Sequence, residues 1–313
     1  MSQMPNLLPH ESGDLFLAYT GMETDLLFTQ GAELPGFASY PLLETAEGRA
    51  LLRRSYQQMI DLGLEAGLGV ILESTTWLAN RDRAAAIGYG PDALAKANRA
   101  AMAFMDELRA SAVHPVLLSG NVGPRQDAYA PREQMTVAEA TAYHTEQIAV
   151  LAETEADLVT GYTLSYPNEA AGIALASKKA GLPVVIAFTV ETDGRLPVGV
   201  SLEAAIREVD EACDYYPAYF MVNCAHPEHL IGAIDSPLCR ERLRGVVANA
   251  SRCSHAELDE ADTLDSGDPK EFGQQLADIE HRFSQINVVG GCCGTDMRHM
   301  KEMIAAMTAG PRV

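Results

Sequence analysis

Short apolar segments rich in β-branched residues alternate along this chain with longer segments of helical periodicity. The alternation repeats eight times. The predicted strands are Leu15–Tyr19, Gly69–Leu72, Pro115–Leu118, Asp157–Thr160, Pro183–Phe188, Tyr219–Val222, Gly245–Ala248 and Ile286–Val289. Strands and helices in strict alternation form parallel βαβ units, and eight such units close into a barrel. The sequence therefore predicts a single-domain (β/α)8 TIM barrel over residues 1–313.

The intervening helices are marked by ordinary capping signals. Pro91 and Thr136 stand where two of them begin, and Gly67 and Gly181 stand where two others end. The predicted helices are Arg49–Ala66, Pro91–Ala110, Thr136–Thr154, Asn168–Ala180, Ser201–Ala212, Pro269–Phe283 and Asp296–Met307. A doubly wound open sheet is the alternative architecture, but no G-x-G-x-x-G follows the first strand, which favours the barrel.

The charge balance restricts the partners of this chain. It has 43 acidic and 23 basic residues, for a formal net charge of −20. Because no basic run interrupts this excess, the phosphate backbone of a nucleic acid would be repelled. The N-terminal segment has no export signal and no stretch is apolar enough to span a bilayer, so we expect a cytoplasmic protein with small-molecule substrates. A homo-oligomer is possible. We expect the acidic stretch 257–268 to be a solvated loop.

Three of the six cysteines follow predicted strands. Cys224 comes after the sixth strand, and Cys292 and Cys293 come after the eighth. The carboxyl ends of barrel strands share one face, where the chemistry of this architecture takes place. The glycines that flank the adjacent pair permit a backbone that turns both sulfurs inward. Three converging thiolates are typical of a Zn²⁺ site with one open position, in which a substrate thiol is held as a nucleophilic thiolate.

Other interpretations of the cysteines are possible. Cys213, Cys239 and Cys253 are expected to be small core residues, although Cys253 could instead close a structural Cys₄ zinc site. The glycine-rich loop around Cys292 and Cys293 could cradle a phosphate before a helix, as in a lyase that acts on a phosphorylated substrate. The histidines that follow Cys224, His226 and His229, are expected to be surface or capping groups.

The segment Gly290-Gly291-Cys292-Cys293-Gly294-Thr295 resembles the signature of the homocysteine S-methyltransferase family. Val222-Asn223-Cys224 is similar to the Asn-Cys site of that family, and weaker similarity extends over nearly the whole chain. The resemblance implies a (β/α)8 barrel with a catalytic zinc on Cys224, Cys292 and Cys293. It also implies methyl transfer to homocysteine from a donor such as S-methylmethionine, S-adenosylmethionine or betaine. We expect Asn223 to orient the metal loop.

The chain departs from the family pattern where the amino-acid acceptor is held. The family aspartate after the first strand corresponds to Tyr19, and the segment Thr160-Gly161-Tyr162-Thr163 has no acid where the family has a glutamate after the fourth strand. Since a buried ammonium left without an acid is costly, homocysteine should bind poorly unless another carboxylate substitutes. Glu23 and Glu73 lie at strand ends and could do so, although both could equally be solvated or salt-bridged acids at the rim.

The remaining substrate contacts are expected at neighbouring strand ends. We predict that Gly21, Met22 and Tyr162 line the acceptor and donor pocket, and that the Trp77 ring cradles a methylated cation. The leading hypothesis is a zinc-dependent thiol S-methyltransferase that uses a sulfonium or quaternary-ammonium donor and homocysteine or a related thiol. The alternative is a zinc-stabilised barrel that has lost methyl transfer and acts as a binding or sensor protein.

Overall fold

The computed structural model describes residues 7–261 and 263–309. Within these residues, eight parallel strands close into a barrel in chain order, and the last strand pairs with the first. The strands are β1 Phe16–Tyr19, β2 Gly69–Glu73, β3 Val116–Val122, β4 Leu158–Leu164, β5 Val184–Phe188, β6 Tyr219–Asn223, β7 Leu243–Ala248 and β8 Val288–Gly291. The predicted (β/α)8 barrel is confirmed, and all eight predicted strands overlap the observed ones.

The helices cover the outside of the barrel, and each predicted helix is present. Short helices that the sequence did not predict, of six residues or fewer, lie among them. The helices are α1 Pro9–Ser12, α2 Met22–Thr24, α3 Ala46–Ala66, α4 Arg81–Ala86, α5 Pro91–Arg109, α6 Val137–Leu151, α7 Pro167–Ala180, α8 Leu202–Cys213, α9 Pro227–Leu230, α10 Pro237–Arg242, α11 His255–Asp259, α12 Pro269–Arg282 and α13 Met297–Ala309.

The predicted capping residues cap the helices of the outer layer. Thr136 and Glu139 form a reciprocal capping box at the start of α6. Gly67 and Gly181 adopt left-handed conformations at the ends of α3 and α7, where a side chain would be strained. Helix boundaries set in this way fix the loops that lead into and out of each strand.

Two apolar layers hold the strands in place. One lies between the strands and the surrounding helices, and the other fills the barrel interior. The interior layer includes Tyr162, Tyr219, Cys224 and Cys292, so the candidate metal-binding cysteines form the upper part of a packed core. No helix in the described parts of the chain is both long and apolar enough to cross a membrane.

The acidic stretch 257–268 differs in part from the solvated loop that was expected. Its charged side chains Glu257 and Glu260 are exposed, as predicted. However, the stretch includes most of α11, and Leu258 and Leu264 face the cavity at the mouth of the barrel. Asp262 lies outside the described residues. The loop therefore forms one wall of the candidate site.

Candidate metal centre and substrate cavity

Three sulfur atoms meet at the carboxyl end of the barrel. The Sγ atoms of Cys224, Cys292 and Cys293 all lie within 4.8 Å of one another. The Sγ atoms of Cys224 and Cys293 are 3.6 Å apart. A tetrahedral metal with metal–sulfur bonds of about 2.3 Å would separate its ligands by about 3.8 Å. The three sulfurs thus fit three corners of one tetrahedral site.

Strand β7 holds both of the cysteine loops. The backbone N–H of Cys224 donates to the Val247 carbonyl at 3.1 Å, and that of Cys292 donates to the Ala248 carbonyl at 2.7 Å. Cys224 itself has a left-handed backbone with φ of 57°. A non-glycine residue in this conformation is strained and persists only when its surroundings impose it. The neighbouring strand therefore brings the two loops together.

The three cysteine thiols differ in their pKa values. Hydrogen bonds from the Cys224 and Cys293 thiols hold the pKa of Cys292 well below its ordinary value. The pKa values of Cys224 and Cys293 are raised in turn, because they are bonded to that thiolate and lie close to it in a buried site. The cluster alone carries one negative charge readily and resists more. A bound divalent cation would relieve this repulsion, so the donor set suits a metal.

No fourth protein ligand completes the cluster. Among the described His, Cys, Asp and Glu residues, the group that could hold a metal contains only these three cysteines. Cys253 is exposed in the turn before α11, so the expectation that it is a core residue is wrong. Cys213 and Cys239 are buried, as predicted. His226 accepts a hydrogen bond from the Glu228 backbone and caps α9, in agreement with its predicted role.

The cluster faces a cavity of about 450 Å³ at the barrel mouth. Aromatic rings supply much of its wall, and three polar side chains, those of Thr20, Asn121 and Asn249, also line it. The rings are those of Phe28, Phe37, Trp77, Tyr129, Tyr162 and His255. A hydrogen bond from Thr20 also helps to lower the pKa of Cys292. The cavity thus has a largely aromatic wall with polar side chains beside the sulfurs.

Four of the six predicted substrate residues line this cavity: Glu23, Trp77, Tyr162 and Asn223. The other two lie next to it. Met22 is buried in the layer between the strands and the helices. Gly21 packs against the Cys292 carbonyl, where an added Cβ would come within 2.4 Å of the oxygen. Gly21 therefore allows the close approach of the first strand end to the cysteine loop.

Asn223, at the end of β6, bonds to an irregular segment of β4, which lies one strand away across β5. Its Oδ1 accepts from the Thr163 N–H and its Nδ2 donates to Thr163 Oγ1, both at 2.9 Å. Nδ2 also lies 4.0 Å from Cys292 Sγ. Thr163 has φ of 61°, and the β4–β5 register shifts between Gly161 and Leu164. The Asn223 amide thus holds a strained strand end in place below the sulfur cluster.

The hydroxyl groups of Tyr19 and Tyr162, at the ends of β1 and β4, bond within the protein. Tyr19 Oη donates to the Thr295 carbonyl at 2.8 Å, which ties β1 to the segment after the cysteine loop. Tyr162 Oη donates to Glu73 Oε1 at 2.8 Å, inside the barrel. Neither position offers a carboxylate to the cavity. Both hydroxyls are therefore occupied by contacts inside the protein.

Glu23 and Glu73 are not salt-bridged acids at the rim. Neither has an ion pair among the described residues. Glu73 is 5% exposed, and burial raises its pKa to about 7 although hydrogen bonds from Ser119 and Tyr162 oppose the shift. Its Oε2 has no partner among the described atoms. Glu23 accepts from Ser39 Oγ at 2.6 Å, and burial raises its pKa as well.

Two residues near Cys224, Tyr129 and His255, were not predicted from the sequence, whereas Glu191 lies directly after a predicted strand. Tyr129 Oη lies 2.8 Å from Cys224 Sγ, and its ring stacks on that of His255 at 3.9 Å. His255 contacts the Cys224 carbonyl at 2.7 Å and the Glu191 carboxylate at 3.0 Å. Tyr129 and His255 lie several residues past the ends of β3 and β7, whereas the other candidates directly follow a strand. Their distance from the strand ends is the reason that they were not predicted.

Comparisons with known proteins agree with this geometry. A sequence model of the homocysteine S-methyltransferase family matches residues 20–307. A search of curated proteins found no significant match. The fold is similar to crystal structures of the homocysteine methyltransferase MmuM from Escherichia coli. Its metallated form is 18% identical, with 95% of this chain and 96% of that chain covered at a TM-score of 0.70.

Two further forms of the same protein superpose similarly. The oxidized form is 20% identical, with 95% of both chains covered and a TM-score of 0.70. The apo form is 19% identical, with the same coverage and a TM-score of 0.64. At these identities the similar structures establish only the fold. The family is established by the sequence model, which matches most of this chain. The chain is a methyltransferase and belongs to the homocysteine S-methyltransferase family.

Proposed function

We propose that this enzyme is a zinc-dependent thiol S-methyltransferase that takes its methyl group from a sulfonium or quaternary-ammonium donor. The observation that carries the proposal is the set of three sulfurs, all within 4.8 Å, that faces the cavity with no fourth protein ligand among the described residues. Thiolate ligands favour zinc over magnesium or calcium. MmuM, which shares this fold, has been crystallised in a metallated form.

Cys224, Cys292 and Cys293 would hold the zinc. Bound there, zinc supplies a site at which the acceptor thiol is held as a thiolate at neutral pH. The cavity of about 450 Å³ is within the size range of sites for drug-sized ligands. It therefore has room for an amino-acid-sized thiol and a methyl donor together, which favours direct transfer. Since the thiols must stay reduced, a reducing compartment such as the cytoplasm suits this reaction.

The aromatic wall provides the donor site. Sulfonium and quaternary-ammonium groups carry a positive charge with no hydrogen to donate, and ring faces attract such cations. The Trp77 ring lines the cavity, and its Nε1 donates to the Tyr162 carbonyl at 3.3 Å, which fixes its orientation. Phe28 and Phe37 line the same cavity. A methylated cation held among these rings would leave the methyl group open to attack.

Glu23 is better placed than Glu73 to bind the acceptor. Glu23 lines the cavity, and it lies close enough to Cys292 for the charge of that cysteine to raise the Glu23 pKa, although burial is the larger cause. Glu73 lies behind the Tyr162 ring and is not part of the cavity wall. In this proposal Glu23 receives the acceptor's ammonium group, and the polar side chains of Thr20 and Asn121 line the same cavity. Gly21 and Met22 then act indirectly, by seating α2 against the cysteine loop.

The proposal is tested by mass spectrometry of the products. Purified protein loaded with zinc is incubated with pairs of thiols and methyl donors, including homocysteine with S-methylmethionine, S-adenosylmethionine or betaine. We expect a methylated thiol and a demethylated donor in equal amounts, and no product after removal of the metal. Bound zinc without turnover for any pair would instead favour a binding or sensor protein. A protein without metal would overturn the proposal.

A further inference from the structure

Cys224 is held on both its main chain and its side chain by residues from three other loops. His255 Nε2 lies 2.7 Å from the Cys224 carbonyl, which can only accept a hydrogen bond. Tyr129 Oη lies 2.8 Å from the Cys224 sulfur. The other two cysteines follow one strand and support each other through a single glycine-flanked loop. Cys224 has no such neighbour, so its position depends on these contacts together with the bond from its N–H to β7.

The His255 ring is itself fixed from two directions. Its Nδ1 lies 3.0 Å from Glu191 Oε1, on the loop after β5. Its face stacks on the Tyr129 ring, with centroids 3.9 Å apart and planes 21° from parallel. His255 is 7% exposed and belongs to the first turn of α11. The ring therefore connects the loops after β3, β5 and β7 at one point above Cys224.

The conformation of Cys224 requires such support. Its left-handed backbone is unfavourable for a residue with a side chain. The Thr189 hydroxyl, which donates to the same carbonyl at 3.3 Å, is the weaker of the two side-chain contacts to it. A carbonyl fixed by His255 and a sulfur fixed by Tyr129 leave the Cys224 side chain little freedom. The sulfur is thus pre-positioned toward Cys292 and Cys293.

We propose that Glu191, His255 and Tyr129 form a clamp that positions Cys224 as a metal ligand. The inference rests on the proposed metal centre and adds the residues that organise it. Groups that orient metal ligands from outside commonly change metal affinity by about 10- to 100-fold when they are removed. The clamp also connects the cavity wall to the proposed metal centre, since Tyr129 and His255 line the cavity and both contact Cys224.

The clamp is tested first by metal affinity. Zn²⁺ is titrated against a chelator in wild-type protein and in Tyr129→Phe, His255→Ala and Glu191→Gln variants. We expect the His255→Ala affinity to fall by about 10- to 100-fold, with smaller losses for the other two. His255→Gln, whose amide can reach the same carbonyl, should recover most of the loss. The absorption of the Co²⁺-substituted protein should shift in the variants that loosen Cys224.

A matched control separates positioning from general destabilisation. His114→Ala removes a half-buried histidine at the opposite end of the barrel, and it should change the Zn²⁺ affinity by less than about twofold. The melting temperature of each metal-free variant is measured in parallel. If His255→Ala fails to fold, Glu191→Gln and Tyr129→Phe still test the clamp. Zn²⁺ affinities equal to wild type in all clamp variants would overturn the proposal.

A second measurement does not depend on metal binding. In metal-free protein, iodoacetamide alkylation of Cys224 is followed by peptide mass spectrometry. We expect Cys224 to react about tenfold faster in His255→Ala than in wild type, because its strained backbone is released, while Cys292 changes little. Equal Cys224 rates would contradict the clamp. Failure of methyl transfer in wild-type protein would overturn the proposed function but leave this result interpretable.

Discussion

The two sides of the barrel mouth differ in how closely they follow the family pattern. On the side of β6 and β8, the three cysteines stand where the family signature has them, and their sulfurs converge. On the side of β1 and β4, where the family pattern has acids that this chain was expected to lack, Tyr19 and Tyr162 bond within the protein. The proposed metal-binding and substrate-recognition parts of this site are therefore built on different strands, which would let them change separately.

Geometry explains why the two sides tolerate change differently. A metal fixes its ligands to within a few tenths of an ångström, so a cysteine cannot be supplied from another strand end without rebuilding the loop. A carboxylate that binds an ammonium acts over a longer range and can be supplied from several neighbouring positions. In the proposed function Glu23, on α2, would be such a substitute, since it follows Tyr19 closely in the loop after β1.

The strongest test of the metal side is Cys292→Ala. Because this cysteine carries the low-pKa thiolate of the cluster, we expect loss of bound zinc and a fall in turnover of about 1,000-fold. Metal analysis and initial rates measure the two effects. Cys213→Ala, at a buried cysteine of α8, is the matched control and should retain the metal. Full turnover by metal-free Cys292→Ala would contradict the proposed role of the cluster.

The acceptor side is probed next by Glu73→Gln. Burial raises the Glu73 pKa from 4.5 to about 7, so the folded protein binds this proton more tightly than the unfolded chain. The stability that this provides is complete below pH 4.5 and is lost as the pH rises through about 7. Between pH 5 and pH 8 the wild-type free energy of unfolding should fall by roughly 2 to 3 kcal/mol relative to Glu73→Gln.

Urea denaturation at the two pH values measures this difference. Glu33→Gln makes the same change at an exposed position and should shift the free energy of unfolding by no more than about 0.5 kcal/mol at either pH. If the difference in free energy of unfolding between Glu73→Gln and wild type is the same at both pH values, the buried carboxyl does not titrate in this range.

Glu23→Gln tests recognition of the acceptor directly. If Glu23 binds the ammonium group, kcat/KM for homocysteine should fall by about 30-fold, because a charge-assisted contact becomes a neutral one. The rate with 4-mercaptobutyrate, which lacks the ammonium, should be unchanged. Asp25→Asn makes the same change of charge two residues away and is the control. An equal loss with both thiols would exclude ammonium recognition by Glu23.

The smallest expected effect concerns the donor. Trp77→Leu should raise the KM for a sulfonium or quaternary-ammonium donor by about tenfold, since cation–π attraction contributes roughly 1 to 2 kcal/mol. Trp77→Phe keeps an aromatic face, so its KM for the donor should lie between those of the wild type and Trp77→Leu. Steady-state kinetics at saturating thiol give both values. A KM that follows side-chain size rather than aromaticity would indicate simple packing.

Most of the fold was predictable from the sequence because barrel strands are buried on both faces. Continuous runs such as Val184–Phe188 then stand out against the helices, whose ends carry local capping residues such as Thr136. Short helices such as α11 were not predicted, since their few residues show no periodicity. Their positions depend on contacts with the barrel mouth rather than on their own sequence.

The candidate site was predictable only where residue chemistry is distinctive. Cysteines at strand ends are rare, so Cys224 and Cys292 could be paired across the chain. Tyr129 and His255 are ordinary loop residues in sequence, and their relation to Cys224 arises only when the loops fold over it. The burial of Glu73 was likewise hidden, because an acid at a strand end can face either the solvent or the barrel interior.

The pairing of β8 with β1 sets the order in which the site can be assembled. Cys292 and Cys293 are carried by the strand that closes the barrel, so a growing polypeptide exposes Cys224 long before its partners are synthesised. Until then, a metal ion would find one thiol and gain little from binding it. In the proposed centre, the complete set of ligands therefore exists only after β8 has been synthesised and has paired with β1.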